Sequence, residues 1–239
     1  MPTARSVLSP ALLAERARAA ARSQSPESAV CDVIDLAQEL INCDHASLTL
    51  IRPDGTVETP AGSDETVLVA DQIQYDLEQG PCLSAAETGG HFLICETATE
   101  SRWPSWGTQI AELGLHSVLA VHLFTGREKL GALNLYARRP DYFSTEDIRA
   151  AAIVAAHASV VLARVRTERN LWAAVDARHV IGVAQGILME RYGLSQDRAF
   201  AVLKRHSQFT NRKLRALAVE LLETGTLSHS DERDSMPTA

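Results

Sequence analysis

The sequence predicts an α+β N-terminal domain with a largely antiparallel sheet and helices, a long coiled-coil-like connector helix, and an all-α three-helix C-terminal domain. Three observations carry this reading. Short β-rich runs punctuate the front two-thirds and end in a hairpin. No Pro or Gly occurs between Ser144 and Gly182. The last third holds short apolar stripes at helical spacing, separated by two breaks. The bounds that follow are 1–24 for an N-terminal helix or tail, 25–143 for the α+β domain, 144–176 for the connector, 177–227 for the helical domain and 228–239 for a disordered tail.

The elements follow in order. The N-terminus has an Arg-spotted helical pattern, with Ser9 at a cap and Pro10 in the first turn. It has no apolar stretch of the secretory kind. Ser25 and Pro26 start a helix whose stripe is Val30, Val33, Ile34, Ala37, Leu40 and Ile41. HASLTLI, ending at Ile51, reads as a strand, and RPDG at 52–55 as a turn. Further strands are expected from Thr56, from His91 and from His116. The chain turns at Gly126, and Leu130–Ala137 completes a hairpin. Gly80-Pro81-Cys82 reads as a rigid corner, because Pro fixes its own φ and biases the residue before it.

Ser144 to Asp147 can cap a long helix, with the acids favoured by its dipole. Ala151, Val154, Ala158, Val161 and Val165 alternate in steps of three and four; Glu168 interrupts, and Trp172 and Val175 return to the frame. Such a stripe packs either on its own domain or on a second copy. Small Ala at the seam points to the second copy. The helix is expected to close at Gly193. Ser195 then caps a second helix with Phe200, Leu203 and Ser207 on its stripe, and Thr210 caps a third with Leu214, Leu217, Ala218, Leu221 and Leu222.

Apolar content of 46% and charged content of 22% are ordinary for a soluble globular protein. No apolar run reads as the roughly 18–20 residues that cross a membrane. Cys31, Cys43, Cys82 and Cys95 show no C-x-x-C spacing, so reduced thiols in a cytoplasm are expected. The net charge of −7 hides an asymmetry. Residues 1–163 hold 11 Lys+Arg against 21 Asp+Glu, residues 164–222 hold 11 against 5, and the tail holds 1 against 4. A basic segment between acidic ones suits contact with a polyanion at one place, or a solvated Arg face.

Ile181, Ala184-Gln185-Gly186-Ile187-Leu188-Met189, Gly193, Ala199-Phe200, Leu203, Ser207, Asn211-Arg212-Lys213-Leu214 and Ala218 closely resemble the ANTAR domain, an RNA-binding module of bacterial antitermination regulators. Many matches at fixed offsets make this specific. One departure is Gln185, where members often carry Lys. The front part is similar to a GAF domain in QYDLEQGPCLSAAETG, SRWPSW, GLHSVLAVHLF and LGALNLYARRPDYFSTED. GAF units are fused to ANTAR domains in one group of bacterial regulators.

The resemblance implies signal-controlled antitermination. A homodimer holds a structured mRNA leader, two stem-loops in tandem; GAF domains usually enclose a small-molecule pocket, many without a known ligand, so a small-molecule ligand in the GAF-like domain is left open. The candidate RNA contacts are Arg178, Gln185, Met189, Arg191, Arg205, Ser207, Thr210, Asn211, Arg212 and Lys213. Arg191, Arg205, Arg212 and Lys213 would hold phosphate. Gln185, Ser207 and Asn211 would touch bases or sugars. The candidate pocket residues are Cys82, Trp103, His116 and His122, the last two read as sharing a strand face. A bland reading stands beside each: Cys82 as buried filler, the histidines as structural donors, Thr210 as a cap, Met189 as core. The cofactor is unknown, and no metal ligand set is assigned. The alternative function is a small-molecule, haem or redox sensor whose output is a protein partner. No nucleophile elbow, P-loop or HExxH motif is present, so the chain is not expected to be an enzyme.

Overall fold

The computed structural model describes residues 26–126 and 128–227. The expected Ser9 and Ser25 caps and the 228–239 tail lie outside them. The chain divides into two compact units after Thr167.

In the first unit, α1 (Pro26–Ile41) leads into β1 (His45–Ile51) and β2 (Val57–Gly62). Then come α2 (Glu65–Leu77), α3 (Pro81–Thr88), β3 (His91–Ile94) and α4 (Pro104–Glu112). The hairpin β4 (Ser117–Thr125) and β5 (Glu128–Ala137) follows. The sheet has five antiparallel strands in the order β2-β1-β5-β4-β3. The hairpin sits at its centre, with Ser117 opposite Ala137 and Thr125 opposite Glu128.

Alternation along the strands divides the sheet into two chemically different faces. One face carries Ala46, Leu48, Leu119, Val121, Leu123, Leu133 and Leu135, and is mainly apolar. It is covered by Val30, Val33, Ile34, Ala37 and Ile41 of α1 and by the first part of α5 (Thr145–Tyr192). The other face carries Ser47, Thr49, Asn134 and Tyr136 among its buried residues, and α2, α3 and α4 lie over it.

α5 begins as the sequence indicates. Ser144 N–H donates to Asp147 Oδ2 at 2.7 Å, and Asp147 N–H donates back to Ser144 Oγ at 3.3 Å, a reciprocal cap. Its early stripe differs from expectation. Ala151, Val154 and Ala158 are buried in the sheet core, and Val161 and Val165 bury against Ala29 of α1. The periodicity is real, but its first half serves its own domain, because the apolar sheet face needs a cover. The same helix contains an 18-residue window of mean hydropathy 1.6, long and apolar enough by composition to cross a membrane. Half of that window is buried inside the protein, which is the signature of a core helix. The expectation that no such run exists is corrected accordingly.

The second unit is a helical trio. The end of α5 packs against α6 (Gln196–Thr210) and α7 (Leu214–Thr224) through Ala184, Leu188, Ala199, Leu203, Ala218 and Leu221. Gly193, at φ 61°, lets α5 stop where a side chain would be strained. Ser195 Oγ accepts from Arg198 N–H at 3.4 Å and caps α6. Two expectations fail here. Thr210 does not cap α7; its hydroxyl donates to His206 O at 2.8 Å, inside α6, and Lys213 occupies the cap position without a side-chain bond. Phe200 is 40% exposed, so Ala199 and Leu203 make the α6 core face.

Candidate sensor cavity and nucleic-acid interface

Between the polar sheet face and α2 lies a closed cluster around Asp71, which is fully buried. Ser47 and Thr59 hydroxyls donate to its Oδ2 at 2.7 and 2.8 Å. Tyr136 donates to Oδ1 at 2.6 Å, and Asn134 Nδ2 lies 3.4 Å from it. Tyr75 hydroxyl bonds Thr49 at 3.0 Å and Thr59 at 2.6 Å. Four donors and no cation face this carboxyl. Burial pushes its pKa above the usual carboxylate range; the hydrogen bonds act the other way. Asn134 Oδ1 is buried without a hydrogen-bond partner.

Cys82 joins this cluster. Thr49 hydroxyl lies 3.4 Å from its Sγ, and Gln74 Oε1 accepts from its backbone N–H at 2.9 Å. Burial first, then the Asp71 charge, raises the thiol well above its ordinary range. That favours the unreactive thiol and the filler role over redox sensing. The Gly80-Pro81-Cys82 corner is also the start of α3, with Pro81 in its first turn. Gly80, at φ 144°, has no room for a side chain: a Cβ there would sit 2.2 Å from Gln74 Oε1.

The other pocket candidates do not converge on Cys82. Trp103 makes edge contacts with Phe92 and Trp106, under the Arg102 guanidinium. His116 precedes β4 and pairs with Glu96 at 3.2 Å. His122 stacks on Phe124, and its Nε2 is buried without a partner. Burial and Lys129 lower its pKa. The two histidines therefore have separate neighbours, Glu96 for His116 and Phe124 for His122. The sequence reading missed Asp71, Asn134 and Tyr136. No group of three or more potential metal ligands occurs among the described residues.

In the helical trio the candidate RNA residues fall into two groups. Arg178, Gln185 and Met189 share a flank of α5, at spacings of seven and four. Gln185 Nε2 donates to Gln196 O at 3.2 Å, and Met189 is 37% exposed. The second group surrounds the α6–α7 corner. Asn211, at φ 50°, ends α6 in the left-handed conformation. Ser207 hydroxyl donates to Arg212 O at 2.5 Å and holds that corner. Arg212 pairs with Glu220 at 2.6 Å, and Lys213 is exposed. Arg191 donates to Gly225 O and ties α5 to the end of α7. Arg205 is exposed on α6. Arg191, Ser207 and Thr210 thus have structural bonds that the sequence did not reveal.

A sheet domain closed over a buried polar cluster is followed by a small helical trio with exposed cations. A GAF domain family model matches residues 23–163, and an ANTAR domain family model matches residues 169–222. The chain belongs to the GAF domain family and carries an ANTAR domain behind it, the arrangement of a GAF–ANTAR regulator. No curated protein matches its sequence. Solved structures resemble its fold. A GAF domain of a phosphoenolpyruvate-protein phosphotransferase from Coxiella burnetii has a TM-score of 0.54 at 16% identity, covering 67% of this chain and 95% of that one. A domain of a two-component sensor histidine kinase protein from Sinorhizobium meliloti has a TM-score of 0.52 at 20% identity, covering 62% and 97%. A bacteriophytochrome from R. palustris has a TM-score of 0.57 at 11% identity, covering 84% of this chain and 48% of that one. The general kind is therefore a sensory domain joined to an RNA-binding antitermination module, and neither domain is a catalytic type.

Proposed function

We propose that the chain is a transcription antiterminator that holds two stem-loops in tandem on nascent mRNA, as a homodimer, under control of a signal received by the GAF domain. The observation that carries this reading is the ANTAR match over 169–222, in the segment where cations outnumber acids. Holding the leader in this form prevents a terminator hairpin from pairing. Lys213, Arg212 and Arg205 contact phosphate, with counterion release supplying affinity. Gln185 and Asn211 contact bases or sugars, beside Arg178 and Met189. Arg191, Ser207 and Thr210 shape the surface through their own bonds.

The dimer reading has support in the later part of α5. Trp172, Val175, His179, Gly182 and Gly186 are exposed and follow steps of three and four. Trp172 is 73% exposed, too much for a residue with no second surface to cover. A Cβ on Gly182 or Gly186 would meet nothing within 4 Å, so a second backbone can approach there. In this reading the connector and the RNA module share one helix, and the working bounds are 25–143 for the sensor, 144–176 for the connector and 177–227 for the RNA module. The pairing of this helix carries the signal. The protein acts in the cytoplasm, on RNA as it emerges from polymerase.

The test is a gel shift with a tandem stem-loop RNA. Changing Arg212 and Lys213 together to Ala should weaken binding and flatten the salt dependence, by about 0.7–0.9 in log–log slope for each phosphate no longer neutralised. Unchanged affinity and slope would remove both residues from the interface.

A further inference from the structure

Resting on the RNA-binding reading, we propose that the outward face of α6 is a second RNA-contacting surface, where Phe209 stacks on an unpaired base and Arg198 and Arg205 hold the flanking phosphates. Positions 198, 202, 205 and 209 are spaced four, three and four apart, so they form one stripe along the helix. The stripe points away from Ala199 and Leu203, which are fully buried in the trio core. It alternates cation, apolar, cation, aromatic: Arg198, Val202, Arg205, Phe209.

Phe209 is 79% exposed, the most exposed large apolar side chain among the described residues. Phe209 joins none of the apolar core clusters among the described residues, so most of its ring meets water, from which transfer onto an apolar or aromatic partner is favourable. The cations beside it are also available. Arg191, Arg212 and Arg215 are each tied within the trio, to Gly225, Glu220 and Asp176. Arg198 and Arg205 have no side-chain hydrogen bond or ion pair among the described residues. Asp197, next to Arg198 in sequence, is the one carboxylate on the first turn.

These features favour unpaired RNA over a protein partner. A protein surface matching this stripe would have to bury two guanidinium groups with paired carboxylates. A single strand offers a phosphate at each step and a flat base between, which matches cation and ring on alternate turns. Arg205 and Phe209 lie one turn apart, about 5–6 Å between their Cβ atoms. Stacking accepts any base, so this face adds affinity for a loop or a flanking single strand, whereas the α6–α7 corner supplies the discriminating polar groups.

The experiment uses the full chain and a hairpin RNA selected on it from a library of random loops, with affinity measured across a salt series. Phe209→Ala should weaken binding about ten-fold while leaving the salt slope unchanged, since a ring carries no charge. Phe209→Trp should restore affinity, and Phe209→Leu, which keeps apolar area without a π face, should not. Arg198→Gln with Arg205→Gln should flatten the slope by about 1.4, at 0.7 for each single-strand phosphate. Binding by Phe209→Ala within about two-fold of the parent, against the ten-fold expected of a stacked base, overturns the inference. So does a change confined to sedimentation, which assigns the face to a protein contact. If the parent selects no RNA at all, the RNA reading falls and this inference with it. If the parent binds and Phe209→Ala binds equally, only this inference falls.

Discussion

Asp71 is buried between the polar sheet face and α2, surrounded by donors from this chain's own side chains. Removing it strands those donors in a dry interior. Asp71→Ala should cost about 3 kcal/mol or more, since each buried orphan costs on the order of 1–3 kcal/mol; guanidinium unfolding measures it. The pH dependence has a definite sign. Burial raises the folded pKa above the ordinary 3.8, so the folded state holds the proton more tightly than the unfolded one. The stability Asp71 contributes is therefore complete below 3.8 and is lost as pH rises through the raised folded value. Asp71→Asn cannot ionise. The difference in unfolding free energy between parent and Asp71→Asn should shift against the parent as pH rises. A difference that moves the other way would mean a carboxyl held ionised in the fold, and a pH-independent one a carboxyl whose pKa folding leaves unshifted; either contradicts the account.

α5 shows what a periodic stripe reveals and what it conceals. Its length, its cap at Ser144 and its stop at Gly193 were legible, because no residue in the interval breaks a helix. Which surface the stripe covers was not, since an Ala/Val seam suits a sheet face as well as a second helix. A pair of substitutions separates the two parts. Val154→Asp should unfold the first unit, because a charge buried in an apolar core costs several kcal/mol. Val175→Asp, at a site 59% exposed, should leave the melting of the first unit unchanged and shift sedimentation toward the monomer. If Val175→Asp stays as dimeric as the parent, the exposed stripe is not the seam. The strands were legible for the same reason as α5, through alternation and a glycine turn. α2 was not. Its buried stripe is Val67, Ala70, Asp71 and Gln74, and two of those four are polar. A helix that buries a hydrogen-bonded cluster has the composition of a surface helix, so pattern alone cannot place it. At the RNA module the offsets of Ala184 to Met189 and Asn211 to Lys213 identified the family. The bonds of Arg191 and Thr210, and the exposure of Phe209, depend on three-dimensional neighbours that no spacing encodes.

At the scale of the whole chain, charge is divided as the functions are. Acids dominate residues 1–163 and cations dominate 164–222, so an RNA meets attraction at one module and repulsion elsewhere. One module of this size offers few phosphate contacts. In the proposed dimer two modules would convert the second binding event into an intramolecular one, and avidity would then exceed a single module's affinity by about 10²–10⁴. The central claim is therefore bivalent capture of a paired RNA element. It is tested most directly by comparing the affinity of the full chain for a tandem stem-loop RNA with its affinity for either stem-loop alone, at one fixed salt concentration. The account predicts a gain of about 10² for the tandem RNA, abolished when the spacer between the loops is lengthened well beyond the span of the dimer. Equal affinity for single and tandem RNA, at every spacer length, would contradict it.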